Sequence, residues 1–329
     1  MEQQHRLLFI DIAKGIGILL VVCSHTEASS LMMWSIGFFV PIFYFCSGYT
    51  TSTHSFNLPI TQYMKKKAKR LLLPYIFFNL LLFLYFRRWS IYGLYGVFYS
   101  RYCLFPIESE NNYNFFIWGN YTMWFITSLF VSYFLYYFIQ NKNQNYYKVS
   151  IIFIYIVITH ILSKSPILLP WSIDTAFLSS LIMYAGFNAK IYNILQWQKY
   201  KIIICILVYA LLLSIAGNIN FSIREYGISF INYYILAVVG CIIVLWCSKR
   251  IETTYLGKLF ALLGRHSLTI FCMEIIFIRE TSILYCKILG SDNIGIIGGI
   301  IGAISSLLGG IILSILLHKS TLFNSFLFD

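Results

Sequence analysis

Asp11, Lys14 and His25 lie in the first apolar segment of the chain, which runs from Leu7 to His25. An α-helix turns about 100° and rises about 1.5 Å per residue, so Lys14 and His25 would share one face about 16 Å apart. Asp11 would lie one turn before Lys14, close enough to pair with it. Each ionised side chain near the middle of a bilayer costs about 2.5–3.5 kcal/mol on insertion scales. The pattern therefore predicts a functional site that faces a bundle interior or a water-filled cavity.

Histidine is the side chain best suited to moving a proton near neutral pH. His25 could act as a general base toward an attacking hydroxyl, or it could take up a transferred group as a nucleophile, and the residues alone leave both routes open. Lys14 could stabilise developing negative charge, or it could extend its apolar stem to the inner membrane surface. Asp11 could take part in the chemistry or only neutralise Lys14. His25 could also be no more than an interfacial residue that ends a helix.

The composition is that of a membrane protein. Of the 329 residues, 59% are hydrophobic and 11% are charged, and long apolar runs recur from Leu7 to His318. Such runs predict an all-α bundle of transmembrane helices, in which one membrane domain spans residues 1–329. We interpret the first segment as a retained helix rather than a cleaved signal, because Asp11 and Lys14 interrupt it. The formal net charge of +12 indicates positively charged cytoplasmic loops rather than a nucleic-acid partner.

About ten spans fit the hydropathy pattern. They lie near residues 7–25, 31–50, 71–86, 115–139, 149–163, 173–189, 201–217, 228–247, 266–280 and 294–317. Lys and Arg are concentrated in the loops that become cytoplasmic if both termini lie inside, so the positive-inside bias predicts this orientation. His25 then lies toward the outer face, and the basic cluster Lys65–Arg70 lies at the cytoplasmic face.

Several short motifs follow one another along the chain. They are the first segment with Lys14 and His25, the string Pro41-Ile-Phe-Tyr-Phe-Cys-Ser-Gly-Tyr49, the basic pair Lys67 and Arg70 with Pro74 after it, Met123-Trp124-Phe125, and Pro170-Trp171-Ser-Ile-Asp174-Thr-Ala176. This ordered set resembles the acyltransferase-3 family of integral-membrane O-acyltransferases. Within that family, the chain looks most like the fucose 4-O-acetylase-like branch, which modifies bacterial surface sugars. The resemblance extends over nearly the whole chain.

The resemblance implies about ten helices, an acyl-CoA donor and a sugar hydroxyl as acceptor. It gives an essential role to the histidine that matches His25 and importance to the basic residue that matches Lys14. It also associates the pair that matches Lys67 and Arg70 with the CoA donor. We therefore expect an acetyltransferase of the bacterial cytoplasmic membrane that uses acetyl-CoA and acetylates a surface polysaccharide or its lipid-linked precursor. Because His25 and the basic cluster are predicted at opposite faces, the acetyl group would have to cross part of the bilayer.

The basic cluster Lys65–Arg70 has two compatible interpretations. It could orient the protein and face the lipid headgroups of the cytoplasmic leaflet. Its side chains could also bind the phosphates of CoA, with Lys67 and Arg70 as the favoured contacts. Pro74 follows four residues after Arg70 and is predicted to fix the start of the next helix.

Three further residues are candidates for contact with the acceptor. Asp174 opens the predicted sixth span, where it could cap the helix or bind substrate. Trp124 belongs to the Trp-Phe motif. Glu274 interrupts the ninth span at about the place where many relatives carry histidine, which departs from the family pattern, but a buried Glu could still pair with a basic group. The tyrosine-rich loop from about residue 87 to 115 could mark the membrane interface or stack on a sugar ring.

The remaining polar candidates are predicted to have no chemistry. The eight cysteines are scattered without a Cys-x-x-Cys pair, so most should be buried thiols, although Cys103 and Cys286 near outer loops could form a disulfide. His160 and His266 are predicted to be loop-proximal and interfacial. No metal site is expected.

Two other classes of membrane protein are consistent with buried charges. A transporter or flippase for a glycan or small molecule would use them for substrate or proton coupling, but such proteins commonly show internal repeats, and none is visible here. A polysaccharide polymerase would be expected to carry a larger, Arg-rich outer loop than this chain has.

Overall fold

Helices dominate the structure, a computed structural model that describes residues 7–87, 90–101, 103–104, 122–141, 144–290 and 293–320. The helices are α1 (Leu8–Ser24), α2 (Pro41–Thr50), α3 (Ile60–Tyr85), α4 (Ile91–Tyr99), α5 (Trp124–Gln140), α6 (Asn145–Ser163), α7 (Ile173–Ile191), α8 (Lys199–Ser214), α9 (Phe230–Arg250), α10 (Tyr255–Arg265), α11 (Ser267–Leu289) and α12 (Gly295–Lys319). Much of the tyrosine-rich loop and the start of the predicted fourth span lie outside the described residues.

The predicted all-α membrane fold is confirmed. Among the described residues, four helices are long and apolar enough to cross a bilayer, namely α3, α6, α9 and α12. The pair α10–α11 would add a fifth if it forms one broken span. Helix α5 is apolar but shorter. The ten spans and the orientation with both termini inside stay predictions.

The predicted second span, 31–50, is wrong as one helix. The structure divides it into a 3-10 segment, Ser29–Ser35, and helix α2, which begins at Pro41. Proline suits the first position of a helix because its φ is already helical and its missing N–H is not needed there. A turn over residues 36–40 therefore interrupts the apolar run between the two segments.

Helix α3 begins at Ile60, before the predicted start at 71, and passes through Pro74. The predicted role of Pro74 at the helix start is therefore wrong. A proline inside a helix removes one backbone hydrogen bond, here the one to the carbonyl of Arg70. The preceding stretch is rich in Lys and Leu, which are strong helix formers. The basic cluster Lys65–Arg70 consequently lies on α3 itself.

The predicted ninth span, 266–280, is the middle of a longer bent unit. Helices α10 and α11 meet at 78°, with His266 at the bend, and α11 continues to Leu289. The disulfide suggested for Cys103 and Cys286 is not present, since the structure has both residues as thiols.

The described chain divides into two compact units. The first comprises Met1–Cys46, Ala189–Leu213 and Leu236–Leu317. Within it, α1 and α10 cross at backbone contact through two glycines: a Cβ on Gly15 would lie 1.9 Å from the carbonyl oxygen of Phe260, and one on Gly264 would lie 1.8 Å from that of Asp11. Small residues allow such close helix crossings in membrane proteins, so α10 is held against the beginning of α1.

The second unit comprises Ser47–Asn188, Ser214–Ile235 and His318–Asp329. One of its apolar clusters contains Ile139 of α5, Tyr155 of α6 and Leu181 of α7. A short antiparallel hairpin of β1 (Ile219–Asn220) and β2 (Glu225–Tyr226) precedes α9.

Candidate active site

His25 directly follows the last residue of α1, and its ring Nδ1 lies 2.9 Å from Oε1 of Glu274 in α11. The His25 side chain is 33% exposed, whereas that of Glu274 is fully buried at 0%. The second carboxylate oxygen, Oε2, has no hydrogen-bond partner among the residues that the structure describes. The buried Glu thus pairs with a basic group, as the sequence allowed, and that group is His25.

Contacts of α12 hold the two segments that carry this pair. At the bend before α11, His266 Nδ1 lies 2.8 Å from Ser314 Oγ. On the other side, a Cβ on Gly299 would lie 2.7 Å from the backbone nitrogen of Ala28, so the segment just after His25 rests against bare helix backbone. His266, predicted to be a simple interfacial residue, therefore has a defined structural contact.

Asp11 and Lys14 lie near the other end of α1. Asp11 is buried, and Nε of Arg265, the last residue of α10, lies 3.7 Å from its Oδ2. Arg265 is thus an ion-pair partner of Asp11 that the sequence does not suggest, and the pairing of Asp11 with Lys14 stays a prediction. The close crossing at Gly264 explains the contact with Arg265, because it brings the end of α10 directly against Asp11. Lys14 is half-buried one turn further along α1.

The three residues predicted to be catalytic therefore fall into two groups in the first unit. Lys14 and His25 are separated by about 16 Å along α1, as the helical rise requires. Glu274 accompanies His25, and Arg265 accompanies Asp11. At this separation, Lys14 and Asp11 cannot contact the His25 ring directly. They can influence it only through a bound substrate or through the position of α1.

In the second unit, Lys67 differs from the other basic residues of its cluster. Its Nζ lies 3.8 Å from the centroid of the Tyr133 ring and 5.4 Å from that of Tyr63, so two aromatic faces hold the ammonium group. Lys65, Lys66, Lys69 and Arg70 are exposed. Lys67 and Arg70 are three residues apart on α3 and lie on neighbouring positions of one face.

Asp174 lies in the first turn of α7 and is bound by two buried arginines. Arg101 Nη2 donates to its Oδ1, and Arg224 Nε lies 3.1 Å from its Oδ2. The backbone nitrogens of Leu169 and Thr175 also donate to the carboxylate, at 3.1 and 3.0 Å. Asp174 therefore joins the loop before α7 to two distant segments. Its predicted contact with substrate stays a prediction.

The remaining groups of the two arginines bind backbone carbonyls. Arg101 donates to Leu169 and Ser222, and Arg224 donates to Leu162, Ser165 and Ile167. Burial lowers the pKa of the Arg224 guanidinium, and the Asp174 carboxylate opposes that shift. The cluster carries one more positive than negative charge, which the backbone carbonyls compensate.

Trp124, predicted to contact substrate, is the first residue of α5 and is only 7% exposed. Its ring lies 6.3 Å from that of Phe125 and 6.1 Å from that of Phe221. Its carbonyl accepts a hydrogen bond from Ser172 Oγ at 3.4 Å. Contact of this ring with substrate stays a prediction.

Sequence reasoning misses Arg101, Arg224 and Arg265. For the first two, a usable signal exists: both fall in loops predicted to lie outside, where the positive-inside bias disfavours arginine. An arginine in such a loop is therefore a candidate for a specific partner. Arg265 has no such signal, because its pairing with Asp11 depends on the bend between α10 and α11. Within the described ranges, no group of three or more His, Cys, Asp or Glu residues is arranged to hold a metal ion.

The helical fold and its apolar spans define a multi-pass membrane protein. Residues 7–319 match the family described as Acyltransferase domain, the acyltransferase-3 family, so the chain belongs to that family and is a membrane O-acyltransferase. No curated protein and no solved structure gives a significant match to the chain.

Proposed function

We propose that this acyltransferase is an O-acetyltransferase of the bacterial cytoplasmic membrane. It transfers acetyl from acetyl-CoA to a sugar hydroxyl of a surface polysaccharide or its lipid-linked precursor. The observation that carries the proposal is the His25–Glu274 pair: a partly exposed histidine, held by a buried carboxylate, at the end of an apolar helix of an acyltransferase. His25 is the group that handles the transferred proton.

In the proposed reaction, the acceptor hydroxyl gives its proton to His25 while its oxygen bonds to the carbonyl carbon of the acetyl group. The bond between that carbon and the CoA sulfur breaks. The sulfur then takes the proton from the imidazolium, so CoA leaves as its thiol and His25 returns to its starting state. Proton transfer by a positioned side chain contributes about 10²–10⁴-fold to such a rate.

The donor is proposed to bind through its phosphates to Lys67 and Arg70. Lys67 presents a point charge whose position is restrained by Tyr133, and the exposed Arg70 guanidinium can grip a phosphate in bidentate fashion. This part of the proposal is independent of the role of His25 and is tested separately below.

The test is acetyl transfer by purified protein in lipid nanodiscs. Wild type, His25→Ala and His160→Ala are supplied with radiolabelled acetyl-CoA and with glycolipid and polysaccharide fractions of the host. His160 is the matched control, since it is exposed at the end of α6. We expect label in the glycan with wild type and His160→Ala, and a loss of about 10²-fold or more with His25→Ala.

Two results would overturn the proposal. If wild type transfers label to these fractions from succinyl-CoA, supplied in a parallel assay, but none from acetyl-CoA, the donor is wrong. If His25→Ala transfers acetyl at the wild-type rate, the site is wrong even though the reaction stands. O-acetyl content of surface glycans in a deletion strain, measured by NMR, identifies the acceptor sugar in the same series of experiments.

A further inference from the structure

Burial of Glu274 in its position is unfavourable for the stability of the fold. Its side chain is fully buried in an apolar helix, and only one carboxylate oxygen has a hydrogen-bond partner among the described residues. A buried carboxylate destabilises a fold unless its partners compensate for the lost hydration. An apolar side chain would fill the same space at lower cost, so the carboxylate indicates a requirement of the neighbouring group, which is His25.

The hydrogen bond fixes which ring nitrogen of His25 carries hydrogen. An ionised carboxylate can only accept, so Nδ1 donates to Oε1 across the 2.9 Å separation. The hydrogen of neutral imidazole is then on Nδ1, and the lone pair is on Nε2. A carboxylate that fixes tautomer and ring orientation in this way also carries compensating negative charge when the ring takes a second proton.

We infer that Glu274 is a positioning residue that acts through His25, and that Nε2 of His25 is the atom that takes the proton. The inference rests on the proposed function and replaces the sequence-based assignment of Glu274 to the substrate. Exposure supports the replacement: the His25 side chain is 33% exposed and Glu274 is 0% exposed, so a substrate reaches the ring and not the carboxylate.

In the resulting step, the acceptor O–H bond breaks and a new N–H bond forms at Nε2. The hydroxyl oxygen bonds to the acetyl carbon, and the bond between that carbon and the CoA sulfur breaks, which leaves CoA as its thiolate. Glu274 keeps its hydrogen bond to Nδ1–H and exchanges no proton. When the thiolate of CoA takes the Nε2 hydrogen, the ring returns to the Nδ1–H tautomer. The orientation of His25 is therefore restored in each cycle without movement of Glu274.

The kinetic test uses Glu274→Gln, Glu274→Asp and Cys272→Ala. The amide of Gln can donate to Nδ1 as well as accept from it, which permits the unproductive tautomer. We expect kcat to fall by about 10²–10⁴-fold in Glu274→Gln with KM for both substrates within about twofold. Glu274→Asp keeps a carboxylate and should recover part of kcat. Cys272→Ala, a buried neighbour on the same helix, should retain wild-type kinetics.

A rise in KM for the acceptor with kcat unchanged would overturn the inference, because Glu274 would then bind substrate. Equal losses in Glu274→Gln and Cys272→Ala, accompanied by equal losses of thermal stability, would also overturn it, because the role would then be general packing. A kcat in Glu274→Gln equal to that of wild type would also overturn the inference.

A second readout does not depend on catalysis. Protein labelled with ¹⁵N-histidine is examined by NMR in nanodiscs, at a pH at which the ring is neutral, and His25→Asn identifies the His25 signal among the six histidines. We expect the Nδ1–H tautomer in wild type and a mixture of tautomers in Glu274→Ala. An Nε2–H tautomer in wild type would overturn the inference.

The two readouts separate failure of the inference from failure of the proposed function. If wild type transfers no acetyl group but shows the Nδ1–H tautomer that Glu274→Ala loses, the proposed reaction is wrong and the positioning role remains. If acetyl transfer requires His25 but neither kinetics nor tautomer responds to Glu274 variants, the proposed function stands and the positioning role is wrong.

Discussion

His25 Nδ1 and Glu274 Oε1 lie 2.9 Å apart, although 249 residues separate them along the chain. His25 ends a helix, and Glu274 lies in the third turn of another, so neither position is defined by its local sequence. Helix α12, which carries neither residue, contacts both segments through Gly299 and Ser314. The geometry of the pair therefore depends on how α12 packs.

Gly299→Ala should reduce activity without removing any polar group. The added Cβ would lie 2.7 Å from the backbone nitrogen of Ala28 and so would push away the segment that follows His25. Misplacement of a catalytic group by about 1 Å can cost about 10²-fold in rate, so we expect kcat to fall by about 10- to 100-fold.

Gly302→Ala is the matched control on the same helix, since its added Cβ would meet Ile278 at 3.9 Å, an ordinary contact. Steady-state acetyl transfer by the two variants at equal protein concentration gives the comparison. Equal activity of the two variants would show that the Gly299 contact does not position His25.

Asp174→Ala should strongly destabilise the second unit. Removal of the carboxylate leaves the buried guanidinium groups of Arg101 and Arg224 without their counter-charge. Breaking one side of a buried ion pair typically costs about 3–5 kcal/mol. Thermal unfolding of the purified protein, followed by intrinsic fluorescence, measures the effect.

Glu252→Ala is the control for this prediction, because it breaks a partly exposed pair with Lys249, three residues earlier in the chain. Such pairs contribute about 0–1 kcal/mol. A similar loss of stability in both variants would mean that the two-arginine cluster is not a principal support of the fold.

The part of this architecture that could be predicted from sequence is the part with local signals. Long apolar runs give the fold class, and charges inside an apolar run single out Asp11, Lys14 and His25. The sequence predicts the helix that carries Lys67 only approximately, because Pro74 suggests a helix start, whereas the structure has it in the interior of α3.

The partners of the charged residues could not be predicted, because they come from distant segments. Asp11 pairs with Arg265 only because two glycines let α1 and α10 touch, and Glu274 meets His25 only because the chain bends by 78° before α11. A sequence shows that a buried charge needs a partner, but helix crossings and bends decide which residue supplies it.

Lys67→Ala should weaken binding of acetyl-CoA if this residue meets a donor phosphate. Loss of one charge-assisted contact costs about 1.5–3 kcal/mol, so we expect KM for acetyl-CoA to rise by about 10-fold or more with little change in kcat. Tyr133→Leu should give a smaller rise in KM, since it removes the aromatic face that restrains the ammonium group.

Lys190→Ala is the control, because this exposed lysine near the end of α7 lies outside the basic cluster. Kinetics with acetyl-CoA at two salt concentrations make the comparison sharper, since screening weakens a phosphate contact. An unchanged KM in Lys67→Ala at both salt concentrations would place the donor elsewhere and leave Lys67 as a structural contact of α5.

Alanine substitutions at three glycines distinguish a steric effect on stability from an effect of backbone conformation. In Gly264→Ala the new Cβ would lie 1.8 Å from the carbonyl oxygen of Asp11, so α1 and α10 must move apart. Gly290 has a φ of 62° but no atom within 4 Å of an added Cβ, so Ala there meets only backbone strain. Gly302→Ala meets neither obstacle, because its Cβ has only an ordinary contact at 3.9 Å.

We therefore expect an order of destabilisation rather than a uniform loss. Gly264→Ala should cost about 3 kcal/mol or more, because backbone cannot shift as a side chain does. Gly290→Ala should cost about 1 kcal/mol, the penalty for a left-handed residue with a Cβ, and Gly302→Ala should be near neutral. Differential scanning fluorimetry in one detergent ranks the three. If Gly264→Ala and Gly302→Ala have the same melting temperature, the α1–α10 crossing is looser than backbone contact. The Asp11–Arg265 pair, which depends on that crossing, should then be absent as well.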